Sequence, residues 1–105
     1  MNEYLKQEIL TSTPDQLFLM LLSKCLLYTR IVPVDIGKVL DVLIGLSSEL
    51  NRDIENEFVS DLDGLLNFMI IEMTYYNITN EIARLNSVSR ILAELIEAWK
   101  IRISN

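Results

Sequence analysis

Residues 13–32 read Thr-Pro-Asp-Gln-Leu-Phe-Leu-Met-Leu-Leu-Ser-Lys-Cys-Leu-Leu-Tyr-Thr-Arg-Ile-Val, and the fold class turns on this stretch. Its start carries helix chemistry. The Thr13 hydroxyl suits an N-cap, where it accepts from an amide of the first turn. Pro14 suits the first helical position, where a missing N–H costs nothing. Gln16, three residues after the cap, completes a capping box, and Asp15 complements the positive end of the helix dipole. Pro33 disfavours helical geometry at Val32. The spacing predicts a helix over 14–32 that is apolar nearly all round. Leu17, Leu21, Tyr28 and Ile31 share one face; Phe18, Leu22 and Cys25 lie about a quarter turn away; Leu19 and Leu26 lie opposite. A helix apolar on every side is buried on every side, so the other helices are expected to pack around this one. Its longest unbroken apolar run, Leu17 to Leu22, falls well short of the roughly 20 residues a bilayer requires. No membrane insertion is expected.

Three more helices follow. Asp35 is a plausible cap for a second over 35–52, with Ile36, Val39, Leu43, Leu46 and Leu50 as its apolar stripe. Val42 and Ile44 fall on opposite flanks of that stripe. Gly45 either weakens the helix or admits a close neighbour. Residues 51–57 are polar and acidic and read as a loop. A third helix over 58–77 carries Phe58, Leu62, Leu65, Met69, Met73 and Tyr76 on one face. Leu66 and Ile70 lie on one flank of it, and Phe68, Ile71 and Tyr75 on the other side. Asp61-Leu62-Asp63-Gly64 is no calcium loop, because alignment on its glycine puts Val59 and Ile70 at ligand positions. Asn77-Ile78-Thr79 reads as a helix-ending turn. The fourth helix, 80–103, presents Leu85, Val88, Leu92, Leu95, Ile96 and Trp99, with Ile91, Ala98 and Ile101 away from that face. Before the first cap, residues 1–12 form a short amphipathic segment with Tyr4, Leu5, Ile9 and Leu10. The expected architecture is all-α: one domain over 1–105, an antiparallel up-down four-helix bundle with the N-terminal segment packed on it.

Composition narrows the chemistry. The chain has 105 residues, half of them hydrophobic, with three glycines and two prolines, which is the balance of a folded domain. Its net charge of −6 argues against nucleic acid or an acidic membrane as partner. There is no histidine and one cysteine. That excludes Cys/His zinc sites, histidine-dependent triads and carboxylate–histidine di-iron motifs. Cys25 is expected to be a small core residue. No catalytic, metal or cofactor site is expected, and no enzymatic reaction suggests itself. Met-Asn-Glu-Tyr lacks the basic leader and apolar run of a signal peptide, so a bacterial cytosol is the expected compartment.

The first and third helices hold more apolar residues than a bundle core requires, about three in seven per helix. They are either enclosed, or covered by self-association or by another chain.

The order Tyr4-x-x-Gln7-x-Ile9-x-Thr11-Ser12-Thr13-Pro14-x-Gln16-Leu17-x-x-Met20-Leu21 resembles the opening of the flagellar secretion chaperones that bind flagellin, the FliS family. Leu50, Leu65-Leu66-x-Phe68-Met69 with Met73 and Asn77, and Val88, Leu92, Leu95 with Ala98-Trp99 resemble later pieces in the same order. The chain departs from the family pattern at Leu21-Leu22-Ser23-Lys24 and at Leu66. The resemblance implies a cytoplasmic, non-enzymatic chaperone. It would hold the disordered C-terminal segment of flagellin, prevent premature polymerisation and aid export, with a co-chaperone or export-apparatus component as a further partner. A disordered client loses chain entropy on binding, so a large apolar surface is needed to offset it. The client contacts are expected at residues left off the core stripes: Val42, Ile44, Leu66, Phe68, Ile70, Ile71 and Tyr75, then Ile91 and Ala98. Tyr4 and Ile9 would form a detachable N-terminal cover. The alternatives are a homo-oligomeric helical protein, or a chaperone or regulator of a related secretion system with another client.

Overall fold

The computed structural model describes residues 9–11 and 13–104. Among them four helices follow one another: α1 (Asp15–Arg30), α2 (Ile36–Ser48), α3 (Glu57–Thr79) and α4 (Ile82–Ser104). Each packs against two others in the ring α1–α2–α3–α4–α1, so α1 stands diagonally across from α3. Trp99 meets Asp15 at one end of α1, and Thr29 meets Ser89 at the other, so α1 and α4 run antiparallel. The result is an up-down bundle of 43 × 24 × 19 Å.

Local chemistry explains where the helices begin and end. The Asp35 carboxylate accepts from the Lys38 N–H at 3.1 Å and starts α2. Asn56 does the same for α3, accepting from the amides of Phe58 and Val59. α3 stops at Asn80, whose φ of 57° is left-handed and whose N–H reaches the Tyr76 carbonyl at 2.8 Å. Asparagine tolerates that region better than most residues. The Asn77-Ile78-Thr79 segment therefore belongs to the last turn of α3, not to a turn after it.

α1 departs from expectation. Pro14, not Thr13, is its cap residue; it is extended, with ψ at 148°, and no side chain caps the first turn. The capping box does not form. α4 anchors the start of α1 instead. Trp99 Nε1 donates to the Asp15 carbonyl at 2.9 Å, and Arg102 pairs with the Asp15 carboxylate at 3.5 Å. α2 also ends earlier than expected. Leu50 forms an antiparallel bridge with Leu10, Asn51 N–H donates to the Ile9 carbonyl at 2.8 Å, and Thr11 N–H to the Glu49 carbonyl at 2.9 Å. These bonds tie residues 49–51 to the segment 9–11 just past the end of α2.

The core is one cluster fed by every element. α1 contributes Phe18, Leu22 and Cys25, with Thr29 beside them; α2 gives Val39, Leu43 and Leu46; α3 gives Val59, Leu62, Leu66, Met69 and Met73. α4 adds Leu85, Val88, Leu92, Ile96 and Trp99, while Ile9, Leu10 and Leu50 close one end. The Trp99 ring packs on Phe18 with centroids 4.6 Å apart. Burying an aliphatic or aromatic side chain of this size contributes about 1.5–3 kcal/mol. Cys25 is a core residue, as expected, and burial pushes its thiol up to about 12.

Two expectations about faces are corrected. α1 is not enclosed: Leu17, Met20, Leu27 and Ile31 are exposed, and the helix touches two neighbours like the others. On α3 the core face is rotated by about one residue. Val59 and Leu66 point in, while Phe58 and Leu65, expected inside, are exposed. Leu66, expected on an open flank, is fully buried, because it shares the inward face with Leu62, Met69 and Met73 at three- and four-residue steps.

Candidate functional site

The outward face of α3 is apolar. Phe68, Ile71, Tyr75 and Ile78 recur at helical spacing nearly opposite the buried stripe, with Phe68, Ile71 and Tyr75 at 45%, 52% and 49% exposure. Contacts with α4 fix which way this face leans. Arg84 of α4 pairs with Glu72 at 3.0 Å and lies over the Tyr75 ring, 5.0 Å from its centroid. At the other end of the seam Arg102 lies over Phe58, 6.0 Å away. Between Arg84 and Arg102, heptad-like steps place Ile91, Leu95 and Ala98 on the same side of α4. Leu65, Phe68 and Tyr75 lie on the facing side of α3. Ile91 and Leu95 are half-buried and Ala98 exposed. Together they line a shallow apolar groove along α3 and α4, with a guanidinium near each end.

The structure sorts the expected contact residues. Phe68, Tyr75, Ile91 and Ala98 come together at this groove, and Ile71 forms its outer crest. Ile44 and Ile70 belong to the other side of α3. Ser47, one turn after Ile44, accepts from Arg52, which in turn pairs with Asp63, two turns before Ile70. Ile44 is exposed and Ile70 half-buried. Val42 is half-buried on the flank of α2 that carries Lys38, which lies over Tyr28 of α1, so Val42 leans toward α1. Leu66 is inside. Ile9 is also inside, at the end of α2, and Tyr4 lies outside the described residues. Sequence reasoning missed Leu65, because it assigned that residue to the core stripe. It also missed Ile78, although that residue continues the Phe68–Ile71–Tyr75 spacing by three.

Among the described residues, no three His, Cys, Asp or Glu side chains gather as metal ligands would. No helix among them is long and apolar enough to cross a membrane. The arrangement is suited to holding a polypeptide by apolar contact.

A family model described as "Flagellar protein FliS" matches residues 33–104. The chain belongs to the FliS family. The matched region contains α2, α3 and α4, hence the whole groove, and the Leu50, Leu65–Asn77 and Val88–Trp99 pieces of the resemblance. The Tyr4–Leu21 opening lies before it. A protein named flagellar secretion chaperone FliS from Vibrio cholerae is 34% identical over 64 residues, which cover 61% of this chain and 47% of that one. A flagellar secretion chaperone FliSB from Pseudomonas aeruginosa is 31% identical over 64 residues, covering 61% of this chain and 51% of its own length. The chain thus spans about half the length of the curated relatives it matches.

Proposed function

We propose that the chain is a cytoplasmic flagellar export chaperone that holds the disordered C-terminal segment of flagellin along the α3–α4 groove. Membership of the FliS family and relatives named as flagellar secretion chaperones support this reading. The structural observation that carries it is the open row of Phe68, Ile71 and Tyr75 beside Ile91 and Ala98. Helix-in-groove recognition uses anchors at this spacing, and each client residue that becomes ordered must be offset by apolar burial. Ile44 and Ile70 extend the contact to the α2 side of α3. No catalytic step belongs to this reading. A cover role is kept for Tyr4, because Ile9 is a core residue; Tyr4→Ala is then expected to tighten client binding.

Calorimetry against a flagellin C-terminal peptide tests the proposal. A markedly negative heat-capacity change is expected, since apolar burial and coupled folding both produce one. The double variant Phe68→Ser/Tyr75→Ser should bind at least about tenfold more weakly, a loss of about 1.4 kcal/mol. Absence of heat in a micromolar titration, or equal affinity in the variant, would overturn it. Light scattering on the free chain addresses self-association: a dimer that the same variant dissolves would assign the groove to a second copy.

A further inference from the structure

A second apolar row lies across the bundle from the α3–α4 groove. Leu17, Met20, Leu27 and Ile31 of α1 are exposed, Met20 at 58% and Leu27 at 56%. With Lys24 included, the row steps by three, four, three and four residues, the seam spacing of paired helices. Lys24 is not the only cation there. Its Nζ lies 5.8 Å from the Tyr28 ring centroid, and Lys38 of α2 lies 5.6 Å from the same ring. After Asp15, α1 carries no acidic residue, and Asp15 is engaged by Arg102. A chain of net charge −6 therefore has an apolar face with two lysines, Lys24 and Lys38, gathered at its middle beside Tyr28, although Asp35 and Asp41 flank Lys38 along α2.

We propose that this face docks an amphipathic helix of a partner protein whose apolar seam is flanked by acidic side chains, with carboxylates meeting Lys24 and Lys38. Charge selects the occupant. In a second copy of this chain, two-fold pairing about the middle of the row would set Lys24 against Lys24, and like charges opposed across an interface are unfavourable. An anionic lipid surface is opposed by the net charge of the whole chain. A helix with glutamates beside its leucines meets both features of the face at once. The inference does not depend on the flagellin reading, since α1 and α3 stand diagonally across the ring.

The test uses the full chain and a labelled helical peptide with leucines at three- and four-residue steps and glutamates on the flanks, read by fluorescence anisotropy. Leu27→Ser and Lys24→Glu are each expected to weaken binding roughly tenfold, about 1.4 kcal/mol. A peptide with the glutamates replaced by lysine should bind the Lys24→Glu/Lys38→Glu variant better than it binds the unaltered chain. Phe68→Ser, in the other groove, should weaken binding of the flagellin peptide but leave the affinity of this acidic peptide unaltered. All these positions are exposed, and circular dichroism checks that the variants remain folded. The proposal fails if the acidic peptide does not bind, if Leu27→Ser binds it as well, if charge reversal gives no rescue, or if Phe68→Ser removes binding. It also fails if anionic vesicles bind this face in place of the peptide, or if the chain forms a dimer that Leu27→Ser dissolves.

Discussion

The outward faces of α3 and α4 lie side by side and differ in chemistry. α3 turns Phe68, Ile71, Tyr75 and Ile78 to the exterior, whereas α4 turns mainly Arg90, Glu94 and Glu97 there, with Ile101 near its end. Their inward faces are alike: each helix of 23 residues gives five fully or nearly fully buried side chains to the core. A helix that only closes a bundle needs one apolar stripe, and α4 comes nearer to that than α3, with Ile91 and Leu95 on the flank toward α3 and a polar outer row. α3 has a second stripe nearly half a turn away from the first, and among the described residues it stays largely exposed. Apolar surface grouped in this way on a small domain marks a place for a partner.

The largest expected effect tests the division between the two stripes of α3. Leu66→Ala removes a side chain with no exposure, and such truncations cost about 2–5 kcal/mol. Phe68→Ala removes a larger side chain from the surface and should change stability by no more than about 0.5 kcal/mol. Urea unfolding of both variants measures the contrast. Similar losses would mean that the outer stripe is packed and that the comparison with α4 is mistaken.

This division was also the least legible part of the sequence. α2 and α4 each have one dominant apolar stripe, and their core residues could be read off directly, from Val39, Leu43 and Leu46 to Leu85, Val88, Leu92 and Trp99. α1 and α3 have two, and periodicity finds both without saying which turns inward. On α1 every face read as apolar and burial was expected all round, yet the core takes only Phe18, Leu22, Cys25 and Thr29. Thr29 is acceptable there because its hydroxyl has a partner in Ser89, 2.7 Å away. Packing against two neighbours decides such a choice, and spacing within one helix carries no information about neighbours. The candidate site inherits the same ambiguity. Phe68, Ile71 and Tyr75 could be grouped from sequence, but their meeting with Ile91 and Ala98 depends on the register that Arg84 sets between α3 and α4. The start of α1 was misread for a related reason: its anchors, Trp99 and Arg102, lie at the far end of the chain.

A middle-sized effect concerns the interior that both helices share. Burial moves the Cys25 thiol from 9.0 to about 12. The unfolded chain therefore releases this proton first, and above pH 9 the unfolded state binds fewer protons than the native one. Stability present below pH 9 is lost as pH rises toward about 12. The loss is about 1.4 kcal/mol for each pH unit in that window. Tyrosines and lysines also titrate there, so the comparison is with Cys25→Ala, whose stability should fall less steeply over the same range. Parallel slopes would show that the α1 face carrying Cys25 is not sealed.

The smallest effect separates fold from site most cleanly, because it adds one methyl group at two places. A Cβ built on Gly45 in α2, or on Gly64 in α3, meets nothing within 4 Å. Both glycines are inside helices, where alanine is favoured by about 0.8–1.0 kcal/mol. Gly45→Ala and Gly64→Ala should therefore raise stability by similar amounts, read as a higher urea midpoint. Their effects on binding should differ. Gly64 lies one turn before Phe68, in line with the outer stripe of α3, so a methyl there enters the surface proposed for the client. Gly45 lies on the exposed side of α2, away from that row. Calorimetry should find the client affinity altered by Gly64→Ala and unaltered by Gly45→Ala. The same response from both would detach the stripe from client binding while leaving the helices as described, since the stability gain at each position depends only on backbone propensity and open space.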